Sequence, residues 1–120
     1  QILGRRDSAI NSGGEIIFPE DIEMKLMKVV LKNQIPIKDI FVLGVKHHKW
    51  GESLVALFKF KDDRTNRYQI ISLLTNLIKD WQPSEKPIEF YDCPKLSRNI
   101  NQKWDFNKWQ RWVSLNKPIN

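Results

Sequence analysis

The sequence predicts a small α+β domain: a three-stranded sheet with helices packed on it, preceded by a short N-terminal β-hairpin. Three observations carry this expectation. Residues 37–45 and 53–60 are almost continuously apolar, the pattern of strands covered on both faces. Segments beginning near Pro19, Arg67 and Asp105 repeat apolar residues at helical spacing. The chain has 120 residues, 41% hydrophobic and 28% charged, which fits one ordinary globular domain and argues against disorder.

In chain order, residues 9–17 read as the hairpin, with Asn11-Ser12-Gly13-Gly14 at its turn. Adjacent glycines permit positive φ there and a close approach of the backbone to another group. Pro19 suits the first position of a helix, and Glu20, Asp21 and Glu23 suit the positive end of its dipole. Ile22, Leu26, Val29 and Val30 form its apolar face, and Asn33 and Pro36 end it. Between the two apolar strands, residues 46–52 read as a loop carrying Trp50 and Gly51. A second helix is expected over 67–81, with Tyr68, Ile71, Leu74, Leu77, Ile78 and Trp81 on one side. Pro83 and Pro87 mark a loop, and residues 88–91 read as the third strand. The last helix is expected over 105–115, with Phe106, Trp109, Trp112 and Val113 on one stripe.

Composition narrows the function. The net charge of +6 fits anionic partners, whether nucleic acid, a nucleotide or a polyphosphate cofactor, and also fits a plain basic surface. The single cysteine, Cys93, allows no internal disulfide, so the chain needs no oxidising compartment and a cytoplasmic location is expected. No run of apolar residues is long enough to span a membrane. His47 and His48 lack Cys, Asp or His partners at ligand spacing and read as an exposed loop pair; no metal site is expected in this chain. Trp104, Trp109 and Trp112 could stack on bases, but their spacing fits a core better. Cys93 sits in no nucleophile motif. The opening Gln1-Ile2-Leu3-Gly4-Arg5-Arg6-Asp7 reads as the middle of a longer chain.

Three blocks stand in order: Gly4-Arg5-Arg6-Asp7, Ser12-Gly13-Gly14-Glu15, and Phe18-Pro19-Glu20-Asp21-Ile22-Glu23. Together they resemble the opening of the C-terminal domain of AMP-forming acyl-CoA and aryl-CoA ligases. Val42-Leu43-Gly44-Val45 with Trp50-Gly51-Glu52 resembles that family's strand and Trp-Gly loop, and residues 94–103 resemble its terminal lysine segment. The resemblance covers residues 2–105, and the opening words are most similar to the ligases that activate 2-succinylbenzoate in menaquinone and phylloquinone synthesis.

The resemblance implies roles for particular residues. Asp7 matches the hinge aspartate between a large and a small domain, and Arg5 the arginine beside it. Residues 1–7 would then be the linker from an N-terminal adenylation domain, and 8–120 the mobile lid. Gly13, Gly14 and Glu15 match the turn along the pantetheine tunnel, and Trp50 an aromatic near the CoA arm. Lys86, before Pro87, is a candidate for meeting the CoA nucleotide. Lys103 matches the catalytic lysine of adenylation. The family pattern there is Pro-Arg-(Asn/Thr)-x-x-Gly-Lys; this chain has Ser97 for the proline and Gln102 for the glycine, and keeps the spacing from Arg98-Asn99 to Lys103. The implied substrates are ATP, CoA and a carboxylic acid, with Mg2+ accompanying ATP in the large domain. The implied partner is the chain's own N-terminal domain. The fragment alone is expected to be inactive, because the phosphate loop and acid pocket lie in the large domain. Two other readings use the same residues: a basic nucleic-acid-binding module, and the C-terminal part of a peptide-synthetase adenylation domain.

Overall fold

A computed structural model describes residues 9–49 and 51–119. Arg5, Asp7 and Trp50, and with them the expected linker, lie outside the described residues.

The described residues form five strands, β1 (Ile10–Ser12), β2 (Glu15–Ile17), β3 (Ile37–His47), β4 (Gly51–Phe60) and β5 (Glu89–Asp92). They also form three α-helices, α1 (Pro19–Lys32), α2 (Arg67–Leu77) and α3 (Phe106–Leu115). Strand β4 organises the sheet. β3 runs antiparallel to it from Ile37↔Phe60 to His47↔Gly51. β5 runs parallel to it from Val55↔Glu89 to Phe58↔Asp92, reached by the crossover through α2. β1 meets it at Ser12↔Gly51. β3 occupies one side of β4 along its whole length, so β1 and β5 share the other.

The expected three-stranded sheet is thus corrected to one sheet of five strands, because the β1–β2 hairpin is not separate. β1 joins the sheet by pairing with β4 at Ser12↔Gly51, and Ile10 packs over Gly44 of β3, where a Cβ would overlap its methyl. The expected loop at 46–52 is also largely ladder, with Lys46 opposite Glu52 and His47 opposite Gly51. Gly51 has φ +84°, which lets the chain reverse there.

Alternation along the strands sorts the core into two layers. Ile40 and Val42 of β3, with Leu54, Ala56 and Phe58 of β4, face α1 and α2 and bury Ile22, Leu26, Val30, Ile70, Ile71 and Leu74. Phe41 and Leu43, with Val55 and Leu57, face α3 and bury Trp104, Trp109 and Val113. Both faces of β3 and β4 are covered, as their apolar runs predict. Cys93 lies in the second layer at 0% exposure. Burial, reinforced by the Asp92 carboxylate, pushes its thiol up to about 11, so it stays protonated at neutral pH and is no nucleophile.

The helix ends follow local chemistry. Asn66 caps α2 by accepting from the Gln69 amide at 3.1 Å, and Asp105 caps α3 by accepting from Lys108 at 3.2 Å. α2 ends at Leu77, short of the expected 81; its buried stripe is Ile70, Ile71 and Leu74, and Ile78 is buried just past its end. Tyr68, expected on that stripe, is 72% exposed, and Leu77 also faces solvent. Only the narrow strip of α2 that touches the sheet needs to be apolar.

α1 closes with a Schellman motif. The Ile35 amide donates to the Val30 carbonyl at 3.0 Å and the Gln34 amide to the Leu31 carbonyl at 3.3 Å, while Ile35 and Val30 share the core. Gln34 supplies the left-handed residue, with φ 54°. A side chain there costs energy that glycine does not, so Gln34→Gly is expected to raise stability by up to about 1 kcal/mol, read as a higher denaturant midpoint at unchanged slope.

Candidate functional site

Two exposed features lie toward opposite ends of β3. The first is a cleft of about 750 Å³ lined by Asn11, Lys46, His47, His48, Gly51 and Glu52. Two hairpins build it. The Asn11 amide donates to Glu52 Oε1 at 3.0 Å, and the Asn11 side chain accepts from the Gly14 amide at 3.0 Å. One asparagine therefore ties the glycine turn to the β3–β4 turn. Gly13 and Gly14 have φ +59° and +91°, the left-handed pair that a tight hairpin turn of matching twist requires. Among the described residues nothing stands within 4 Å of a Cβ built at either. Against those residues, conformation and not crowding demands the glycines, and the turn presents bare backbone to whatever comes against it.

His47 and His48 stack with ring centroids 4.7 Å apart, and His47 Nδ1 accepts from the Lys49 amide at 3.1 Å. Among the described residues, no group of three His, Cys, Asp or Glu could hold a metal ion.

Glu15 and Lys86 lie beside this end without lining the cleft. The Ser84 hydroxyl donates to Glu15 Oε2 at 3.2 Å, which links the hairpin to the 3-10 turn Pro83–Glu85. The Lys86 ammonium donates to the Lys79 carbonyl at 2.6 Å, within the turns that follow α2. Sequence reading picked out Gly13, Gly14 and Glu15 but not Asn11, Lys46 or Glu52. Asn11 stood only as a turn residue and Glu52 only as part of the Trp50-Gly51-Glu52 block, and neither was given a role at the site.

The second feature is the loop that carries Lys103. Its two ends are pinned to the sheet. Trp104 is 9% exposed and stacks on Phe41 with centroids 4.9 Å apart. Its indole Nε1 approaches Glu23 Oε2 at 3.4 Å. The other oxygen of Glu23 accepts from the Val42 amide on the edge of β3 at 3.0 Å, so one carboxylate joins α1, the sheet and Trp104. The Arg98 guanidinium lies over the Trp104 ring at 4.1 Å and 3.7 Å from Asp39.

Between these ends the loop closes on itself. The Asn99 amide donates to the Lys103 carbonyl at 2.7 Å, and the Gln102 amide donates to the Asn99 carbonyl at 2.9 Å. Asn99 Oδ1 accepts from the Asn101 and Lys103 amides at 2.9 and 3.0 Å. Lys103 is exposed, and Ile100 at the tip is 94% exposed. Gln102 has φ 62°, the conformation glycine adopts without strain. Gln102→Gly is therefore expected to stabilise the chain by up to about 1 kcal/mol, measured by thermal and denaturant unfolding.

Trp104 and Trp109 are core residues, and Trp112 is half-buried, edge-on to Tyr91 at 5.8 Å. Neither Trp104 nor Trp109 can stack on a base without unfolding the layer beneath α3. No helix is long and apolar enough to cross a membrane among the described residues.

No protein-family model matches the chain. Individual proteins do. The chain is 31% identical over 110 residues to a 2-succinylbenzoate–CoA ligase of Haemophilus influenzae, covering 86% of this chain and 23% of that one. It is 28% identical over 117 residues to the medium-chain acyl-CoA ligase Mig of Mycobacterium avium, covering 97% of this chain and 20% of that one. Among solved structures, an o-succinylbenzoate CoA synthetase from Bacillus subtilis, bound with a product analogue, superposes with a TM-score of 0.66 at 26% identity, over 91% of this chain and 21% of that one. These relatives and neighbours show a C-terminal domain of the AMP-forming acyl-CoA ligase kind. The chain spans about a fifth of the length of the curated relatives it matches.

Proposed function

We propose that this chain is the mobile C-terminal domain of an ATP-dependent acid–CoA ligase. The parent would adenylate a carboxylic acid and then form its CoA thioester. The observation that carries the reading is the Lys103 loop: the position where the family's lysine motif keeps glycine is Gln102, and Gln102 holds the left-handed conformation that glycine suits. The kept spacing from Arg98-Asn99 to Lys103 and a backbone at Gln102 that glycine suits both support the reading even where the letters differ.

In the first half-reaction a carboxylate oxygen bonds to the α-phosphorus of ATP. The bond from that phosphorus to the bridging oxygen breaks, and pyrophosphate leaves with the electron pair. Negative charge builds on the transferring and leaving groups, and the Lys103 ammonium neutralises it. In the second half-reaction the CoA thiol displaces AMP. The cleft and the bare Gly13-Gly14 turn, at the other end of β3, then face the pantetheine arm, the arm for which the sequence resemblance also makes Trp50 a candidate. Lys86 would need to leave the Lys79 carbonyl to meet the nucleotide phosphates. One domain presents two ends to one active site only if it rotates. The hinge role of Asp7, with Arg5 beside it, comes from the sequence resemblance, as does Mg2+ with ATP in the large domain; a cytoplasmic location is proposed from the single cysteine, Cys93.

The acid we propose is 2-succinylbenzoate. Similarity to two ligases of that acid supports it, and similarity to a medium-chain acyl-CoA ligase competes with it. The test is ATP-dependent thioester formation by the full-length protein with 2-succinylbenzoate, benzoate and medium-chain fatty acids. Product with 2-succinylbenzoate alone is expected. Product with a fatty acid alone would reassign the substrate, and thioester made by the isolated chain would refute the need for the large domain.

A further inference from the structure

We propose that Asn99 is the positioning residue for Lys103: its carboxamide holds the exposed loop in the shape that delivers the ammonium. This rests on the reading of Lys103 above and adds a residue to it.

The loop faces water on nearly every side, and exposed backbone hydrogen bonds open readily. The ends at Arg98 and Trp104 are secured by ring stacking and the contact with Asp39, but that leaves four intervening residues and the Lys103 backbone to be fixed. Burial does not fix them, since 99–103 are all exposed. Asn99 does. Its main chain bonds Gln102 and Lys103, and its Oδ1 takes both the Asn101 and the Lys103 amides. Lys103 is therefore held through its N–H by a side chain and through its C=O by a main-chain amide of one residue. That fixes the direction in which the lysine side chain leaves the backbone. It also pins the chain around Gln102, whose positive φ would otherwise favour relaxation.

Removing the carboxamide frees two amides to water and lets the loop spread over many shapes. The lysine remains, but it meets the phosphate correctly less often. A misplacement of about 1 Å can lower a rate by roughly 100-fold.

The test uses the full-length ligase with Asn99→Ala, Asn99→Thr and Lys103→Ala, and measures the two half-reactions separately. Asn99→Ala is expected to lower the maximal rate of acid-dependent ATP–pyrophosphate exchange by roughly 10-fold or more, with KM values little changed. The rate of thioester formation from preformed acyl-adenylate and CoA should stay at the wild-type value, as should the melting temperature. Asn99→Thr, whose hydroxyl can accept from the amide two residues on, should recover much of the exchange rate. Equal loss in both half-reactions, or no loss in exchange while Lys103→Ala abolishes it, would overturn the positioning role alone. Full exchange in Lys103→Ala would overturn the reading of Lys103, and the positioning role with it.

Discussion

Replacing Lys103 with alanine in the full-length ligase is expected to lower acid-dependent ATP–pyrophosphate exchange by roughly 100- to 1,000-fold, the usual loss when a group that stabilises developing charge is removed. The expectation is specific to one half-reaction. Lys103 stands on the Asn99 loop, by Asp39 and Phe41 at the start of β3, whereas the cleft stands at Lys46 and His47 at its end. Thioester formation from preformed adenylate should therefore survive. Stability should change by no more than about 0.5 kcal/mol, because the lysine side chain is exposed and the loop's internal bonds use only its backbone. Exchange and unfolding measured on the same preparation check both halves of the prediction.

The largest effect on folding is expected at Trp109. It is 1% exposed and among the largest fully buried side chains. It packs in the layer of Phe41, Leu43, Val55 and Leu57, with Trp112 edge-on at 6.4 Å and the Lys108 ammonium over its ring at 4.8 Å. α3 is held to the sheet by its apolar stripe, of which this ring is the largest buried member beside Val113, Trp112 and Phe106. Trp109→Ala should cost about 3–5 kcal/mol, a large part of the roughly 5–15 kcal/mol that stabilises a domain. The melting temperature should fall by on the order of 10 °C or more. The variant also bears on the nucleic-acid reading, because a base-stacking tryptophan on the surface could be removed with little loss of stability.

What could be read in advance follows from what each residue answers to. The unbroken apolar runs of β3 and β4 announced strands with two covered faces, because each alternate residue has its own layer to fill. Trp104, Trp109 and Val113 were legible as core from a different pattern, the helical spacing of a single stripe. The ladder between Lys46–His47 and Gly51–Glu52 was not, since polar residues beyond the edge of the core look like a loop whether or not their backbones pair. The joining of the hairpin to the sheet rests on Ser12 pairing with Gly51 and on Ile10 packing over Gly44, residues far apart in sequence, so no local pattern reports it. Tyr68 and Leu77 fit a helical period and still face water, because the period does not say how wide a strip the sheet will cover. At the lysine loop, the motif's spacing was legible from Arg98-Asn99 to Lys103. The left-handed backbone at Gln102 was not, because glutamine does not announce a turn. Nor was the double acceptance by the Asn99 carboxamide, which exists only once the loop is closed.

The most direct test of the account is acid-dependent ATP–pyrophosphate exchange by the full-length protein, compared with the same protein lacking this domain, over a panel of aryl and fatty acids. Exchange with 2-succinylbenzoate that disappears on removal of the domain is the predicted result. Exchange with no acid, or exchange that persists at the full rate without the domain, would contradict it.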